Sequence, residues 1–319
     1  MRSSPNPGRT KFLAWIRIAR LPFFPMAFVA YSLGAVAAWH TGRHIDASGF
    51  AIGYLVLFLI ELASIWTNEI YDQETDRLNA NYSIFTGGSR MLVEERLLPS
   101  EVRQGIRIVF VLIVISFLAL LGTSRSLPVL PTSLLILTGV ILGLGYTAPP
   151  LKVVYRGGGE LLVGFTHSQY LILCGYAFQG GLPLDVLPWK IGIPLFLAVL
   201  SGIILAGVPD YAADLRVEKR TLAVLCRPRT ALFLSAAAAI AALFSLLLII
   251  YANRISGLSP LWIIPVLLHG LVLVIVLVRA AYSGGYDSPM KAPLSLSLSY
   301  IIWFGIVPLA SLSKWTGLA

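Results

Sequence analysis

The sequence predicts an all-α fold, a polytopic membrane helical bundle of nine transmembrane helices around a central cavity. Three observations carry that prediction. Hydrophobic residues make up 57 % of the 319 residues and charged residues only 12 %, with a mean hydropathy of +0.82, whereas a typical soluble domain carries about 25 % charge. A chain this apolar cannot turn its surface to water. Apolar stretches approaching the length that crosses a bilayer, about 17–25 residues, recur along the whole chain. The basic residues also segregate, 19 of the 24 Lys and Arg falling on one side of those stretches when the crossings alternate.

The spans read, in order, Leu21–His40, Phe50–Thr67, Ile108–Leu121, Leu130–Tyr146, Leu161–Phe178, Ile191–Gly207, Ala231–Ala252, Leu261–Val278 and Leu294–Leu312. Inside lipid the backbone must satisfy its own hydrogen bonds, so these stretches are helices. The alternating polar and apolar residues of a membrane barrel are absent. Leu21–His40 follows several basic residues, but its apolar stretch is longer than a signal-peptide core, and it reads as the first span. Pro194, Pro265 and Pro308 fall inside spans and are expected to kink helices rather than break them. The whole of 1–319 reads as a single domain, with pseudo-repeats at approximately 21–146 and 161–278 plus a ninth span. Cys174 falls in an apolar run and Cys226 in a charged loop, so no disulfide framework is expected.

The charges give the orientation. With the N-terminus in the cytoplasm, the inner side receives Arg2, Arg9, Lys11, Arg17 and Arg20, then Arg77, Arg90, Arg96, Arg103 and Arg107. It also receives Lys152, Arg156, Arg216, Lys219, Arg220, Arg227, Arg229, Arg279 and Lys291. Arg43, Arg125, Lys190, Arg254 and Lys314 are left outside. This is the positive-inside pattern of a multi-pass protein of the cell (inner) membrane. The formal net charge of +9 is dispersed among apolar runs, so nucleic acid is not an expected partner. Acids follow no such rule, yet 12 of the 15 Asp and Glu share that same face; Asp46, Asp185 and Glu61 are the exceptions. Both signs gathered on one face imply a polar chamber there.

Two acidic motifs define the chamber. The first reads Asn68-Glu-Ile-Tyr-Asp72-Gln-Glu-Thr-Asp76-Arg77, with Asn68, Asp72 and Asp76 four residues apart. The second reads Asp210-Tyr-Ala-Ala-Asp214-Leu-Arg216-Val-Glu218, again at intervals of four. On a helix that spacing lines one face at successive turns. Each motif follows an even-numbered span, and Asp72 to Asp210 and Asp76 to Asp214 are both 138 residues, so the two helices run in the same direction. Carboxylates so spaced destabilise a helix. Two of them 4 Å apart repel by about 4 kcal/mol at an effective dielectric of 20. Hard divalent cations with oxygen ligands relieve that repulsion, and Mg²⁺ characteristically adds substrate phosphates to one or two carboxylates. The pattern therefore points to two Mg²⁺ ions clamping one diphosphate, Asn68, Asp72 and Asp76 holding one and Asp210 and Asp214 the other, with Glu218 as a further ligand or just behind the ligands. Arg77, Arg90, Lys152, Arg156, Arg216, Lys219 and Arg220 occupy the same loops as candidate phosphate contacts.

These residues resemble the UbiA-type intramembrane prenyltransferase superfamily. The resemblance rests on the nine spans, the Asn-x-x-x-Asp-x-x-x-Asp motif after the second, the Asp-x-x-x-Asp motif after the sixth, the Arg20-Leu-Pro opening and the Tyr146-Thr-Ala-Pro-Pro-Leu-Lys152 loop. Thr86-Gly-Gly-Ser-Arg90 and Lys219-Arg220-Thr221-Leu-Ala-Val look most like the branch that prenylates 1,4-dihydroxy-2-naphthoate in menaquinone synthesis. Two departures stand out: Glu69 replaces the Asp that commonly follows the motif's Asn, and Glu218 stands where another Asp is usual. The resemblance implies Mg²⁺-dependent transfer of a prenyl group from an allylic isoprenyl diphosphate to an aromatic acceptor in quinone synthesis. Ionisation of the diphosphate gives a carbocation that the acceptor ring captures. It implies Lys152, Arg77, Arg90 and Arg220 as diphosphate contacts and Tyr146 as a ring facing the cation. No obligate protein partner is expected.

Two polar residues inside spans belong to the same picture. Glu61 lies seven residues before Asn68, on roughly its face, and intramembrane carboxylates are costly and often functional. His167 lies in the fifth span. Both are candidates for acceptor contact or proton transfer, against the plainer reading of side chains hydrogen-bonded between helices. The competing function is a secondary transporter or channel with a cytoplasmic-side acidic cavity. Transporters place their charges near the bilayer midplane, whereas these acids cluster at one rim.

Overall fold

A computed structural model describes residues 7–123, 127–252 and 260–315. Arg2, Arg125 and Arg254, counted above, lie outside them. The described residues form helices and no strands. In order they are α1 (Pro7–Ile18), a 3-10 turn at Leu21–Phe23, α2 (Phe24–His40), α3 (Ala47–Tyr71), α4 (Gln73–Leu78), α5 (Pro99–Thr123) and α6 (Val129–Gly145). There follow a 3-10 turn at Val153–Arg156, α7 (Gly159–Phe165), a π turn at Thr166–Tyr170, α8 (Leu171–Ala177), α9 (Val186–Arg216), α10 (Leu222–Ala252), α11 (Pro260–Ser283) and α12 (Lys291–Trp315).

Each span read from the sequence has a helical counterpart. Among the described residues seven helices are long and apolar enough to cross a membrane: Lys11–His40, Ala47–Tyr71, Pro99–Thr123, Val186–Arg216, Leu222–Ile250, Ile263–Ser283 and Lys291–Leu312. The stretch Leu130–Tyr146 forms a shorter apolar helix, and Leu161–Phe178 runs through α7, the π turn and α8. α9 and α3 extend past their apolar cores, so the charged rim is itself helical. Pro194, Pro265 and Pro308 sit within α9, α11 and α12. The pronounced break comes elsewhere, at Arg227 (φ 71°, ψ 153°) in α10, because the following Pro228 disfavours helical backbone in the residue before it.

α3 starts where the Asp46 carboxylate accepts from the amides of Ser48 and Gly49 at 3.0 and 3.1 Å, satisfying donors that no helical carbonyl reaches. α2 and α8 cross at backbone contact. A Cβ at Gly34 would strike the Ile172 carbonyl, and one at Gly175 the Tyr31 carbonyl; small residues allow this approach where helices pack in lipid. α2 also packs on α12, α9 lies between α10 and α12, and α3 packs on α5 and α6. The outer faces of α5 and α11 expose Ile108, Val111, Ile115, Leu118, Leu268 and Leu271. On an amphipathic soluble helix those positions would be polar; here they are dressed for hydrocarbon. The chain is a multi-pass membrane protein.

Candidate active site

One cavity of about 800 Å³ runs into the bundle from the end where α3 and α9 terminate. Its walls are apolar, from Met26 and Val29 of α2, Leu57 and Ile60 of α3, Leu142 of α6, Val199 of α9 and Leu298 of α12, among others. Its mouth is lined by Asn68, Asp72, Asp76, Asp210 and Asp214. The fold therefore brings the two acidic rows to one opening.

Local structure explains how each row gets there. α3 stops at Tyr71 and the chain bends at Asp72 (φ −94°, ψ 3°) before α4. The amides of Asp72 and Asp76 still bond to the carbonyls of Asn68 and Asp72, both at 2.8 Å, so the four-residue stagger survives the bend. α9 carries Asp210 and Asp214 on its last turns without interruption. The helix ends at Arg216, however, and Glu218 takes a left-handed backbone (φ 58°) with an exposed side chain. The spacing that put Glu218 on the acidic face thus fails by ending one turn too late, and Glu218 does not line the cavity.

That reversal swings Lys219 inward. It is 6 % exposed, with Nζ 2.6 Å from Asp72 Oδ1 and 4.0 Å from Asp214 Oδ1. One ammonium thus spans both rows. A second tie is the Asn79 amide, whose Nδ2 donates to Asp210 Oδ1 at 2.6 Å. Thr221 Oγ1 donates to Asp214 Oδ2 at 3.2 Å. Burial works against the charge on Lys219, but Asp72 and Asp214 outweigh it and hold the ammonium above the ordinary lysine range. Burial, then the charges of Glu69 and Asp72, push the Asp76 carboxyl up to about 8. Four carboxylates at one apolar-walled mouth are thus only partly compensated, as the like-charge argument requires.

The segment 79–98 reaches this mouth through Asn79 and residues 84–88, which line it. Glu69 anchors it by accepting from the Ser89 amide at 2.7 Å and the Ser89 hydroxyl at 2.6 Å. Arg20 holds it four residues earlier, donating to the Phe85 carbonyl at 3.1 Å. Gly88 (φ +67°) lies directly against the Asp76 carboxylate, where any Cβ would collide. From the far side, Glu160 accepts from the Leu222 amide at 2.6 Å and fixes the start of α10.

The other expected phosphate contacts stand back from the cavity. Arg77 and Arg220 are exposed. Arg90 donates to the Asp76 carbonyl and stacks 4.4 Å over Tyr82. Lys152 sits 5.0 Å over the Tyr155 ring. Among the described residues the cations that line the cavity are Arg20 and Lys219. Tyr146, Glu61 and His167 all line it, the last two deeper in the bundle. Lys219 was one of seven interchangeable cations in the sequence, and only the backbone reversal at Glu218 singles it out. Asn79 and Glu160 carried no signal beyond proximity to a motif.

The mouth's donor set is oxygen only, with no histidine or thiol, which fits Mg²⁺ and not zinc. Among the described residues no three His, Cys, Asp or Glu side chains converge on one ion position; the Lys219 ammonium stands between the rows as their cation.

An acid-rimmed apolar chamber inside a multi-pass helical bundle defines an intramembrane enzyme. The chain belongs to the UbiA prenyltransferase family, which matches residues 27–307. Members of that family are prenyltransferases, and so is this chain. The fold is similar to that of an apo UbiA homologue from Aeropyrum pernix K1, over 88 % of this chain and 96 % of that one, with a TM-score of 0.62 and 17 % identity. It is also similar to a UbiA homologue from Archaeoglobus fulgidus bound to GPP and Mg²⁺, over 95 % and 100 % of the two chains, with a TM-score of 0.55 and 15 % identity. A digeranylgeranylglyceryl phosphate synthase matches over 97 % and 99 %, with a TM-score of 0.55 and 18 % identity. No curated protein sequence matches the chain.

Proposed function

We propose that the protein transfers the prenyl group of an allylic isoprenyl diphosphate to an aromatic acceptor in quinone synthesis, 1,4-dihydroxy-2-naphthoate foremost. The observation that carries this reading is the meeting of two acidic rows at the mouth of a cavity whose walls are mainly apolar. That geometry suits an amphiphile with a polyanionic head and a hydrocarbon tail. Binding of GPP and Mg²⁺ by the Archaeoglobus homologue supports the same assignment. Asn68, Asp72 and Asp76 would hold one Mg²⁺, and Asp210 and Asp214 a second. Held there, Mg²⁺ would supply positive charge that stabilises a diphosphate leaving group.

This chain's own residues do the rest. Lys219 and Arg20 supply the fixed positive charge nearest the leaving group. Arg77, Arg90, Lys152 and Arg220 flank the mouth and draw the anion toward it. Tyr146 presents its ring at the boundary between acidic mouth and apolar chamber, where an allylic cation forms. The apolar walls exclude water that would quench that cation. We further propose nine membrane crossings in a single domain built from two pseudo-repeats, with the mouth and N-terminus in the cytoplasm.

The test is incubation of purified protein with Mg²⁺, labelled geranyl diphosphate and a panel of dihydroxynaphthoate, 4-hydroxybenzoate and homogentisate. A prenylated aromatic product is expected. Asp72→Ala and Asp210→Ala should each lower turnover by at least about 100-fold, since a metal contributes several kcal/mol to such a step, while the proteins remain folded. Undiminished turnover in either variant would remove the metal role.

A further inference from the structure

We propose that Glu61 and His167 form the acceptor subsite, and that it takes a hydroxylated aromatic ring whose O–H proton passes to His167 Nε2. The inference rests on the prenyl-transfer reading above. Glu61 lies on α3 two turns inward of Asn68, roughly 10 Å along the helix axis, and lines the same cavity. Its Oε1 is buried without a hydrogen-bond partner. His167 Nε2 is 3.9 Å from that oxygen, too far for a direct hydrogen bond and near enough for one hydroxyl to touch both.

The surroundings fix the roles. His167 Nδ1 lies 3.2 Å from the Val163 carbonyl, which can only accept, so Nδ1 carries the hydrogen and Nε2 presents its lone pair. Thr166 Oγ1 lies 3.1 Å from the same Nδ1, but its hydroxyl donates to the Leu162 carbonyl at 2.9 Å, which leaves the oxygen to accept from Nδ1–H and keeps that arrangement intact. His167 stands on the π turn Thr166–Tyr170, a local widening that recurs at functional sites. Two polar lining residues are already committed: Ser64 donates to the Gly143 carbonyl at 2.8 Å and Tyr170 to the Leu135 carbonyl at 2.9 Å. Glu61 Oε1 and His167 Nε2 are left to meet a ligand.

The charge pattern selects the ligand class. Among the described residues, the cations lining the cavity are Arg20 and Lys219, and Lys219 is held at the mouth by Asp72 and Asp214. An acceptor bearing its own phosphate would set that group beside Glu61, whereas a phenolic hydroxyl meets a base and a carboxyl. The proton moves from the hydroxyl to Nε2 and the oxygen's electron pair enters the ring. The ring carbon beside it bonds to C1 of the prenyl group, and the C1–O pair leaves with the diphosphate. That carbon regains aromaticity by releasing its proton to the departed diphosphate or, where it bears a carboxylate, by releasing carbon dioxide.

The experiment compares wild type, Glu61→Gln and His167→Gln, with geranyl diphosphate, Mg²⁺ and ring-fluorinated 4-hydroxybenzoates or dihydroxynaphthoate as acceptors. Both variants should bind geranyl diphosphate as wild type does and lose prenylated product by about 100-fold or more. The His167→Gln deficit should shrink as fluorination makes the hydroxyl more acidic, which a merely structural role would not produce. Normal product from both variants, or a deficit indifferent to acceptor acidity, overturns the inference. Prenylation of glycerol phosphate with no aromatic product overturns it too, leaving prenyl transfer intact. Absence of diphosphate release from wild type with any acceptor overturns the underlying reading instead.

Discussion

Lys219 carries its charge at the point where Asp72 and Asp214 approach each other, and its removal leaves both carboxylates without their bridge. Breaking a buried ion pair from one side costs about 3–5 kcal/mol. Lys219→Met should therefore melt well below wild type in the absence of divalent cations, and MgCl₂ should raise its melting temperature more than it raises that of wild type. Melting curves in detergent with and without MgCl₂ measure both; equal responses would deny Lys219 the bridging role. Gly88→Ala makes the complementary case. Its Cβ would press on the Asp76 carboxylate, in a backbone conformation that alanine resists. Turnover should fall by an order of magnitude or more while the melting temperature drops modestly. The Asn68, Asp72, Asp76, Asp210 and Asp214 set was legible because intervals of four survive into the structure. Glu218 and Lys219 were not, because a helix end is decided by local backbone geometry that spacing does not encode.

At the scale of elements, the crossing of α2 and α8 depends on Gly34 and Gly175, each seated on the other helix's backbone. Overpacking such a contact costs about 1–3 kcal/mol. Gly175→Val should lower the melting temperature and the yield of monodisperse protein, whereas Gly122→Ala, which meets no atom within 4 Å, should change neither. Size-exclusion profiles and melts of the pair test this directly. The helices beneath the apolar stretches were readable from hydropathy, since lipid imposes length and apolarity on a crossing, and seven of the described helices meet both demands. The π turn at Thr166–Tyr170 was not readable, since it lies where polar and apolar residues mix, whereas the continuation of α9 through Asp210 and Asp214 was legible from their four-residue spacing.

For the whole molecule, the testable property is sidedness. Ile84 beside the mouth is 80 % exposed and Leu184 at the opposite end is 89 % exposed. In a Cys226→Ser background, with Cys174 buried, Leu184→Cys should react with a membrane-impermeant maleimide in intact cells. Ile84→Cys should react only after permeabilisation. The reverse labelling would invert the orientation that the 19 inner-side cations imply. That asymmetry was plain in the sequence because it is a bulk property of loops. The placement of segment 79–98 at the mouth was hidden, since it depends on single contacts such as Glu69 to Ser89 and Arg20 to Phe85.

The lysine lodged between the acidic rows also bears on biogenesis. A protein that supplies its own counterion can be synthesised, inserted and held in reserve before any metal reaches it.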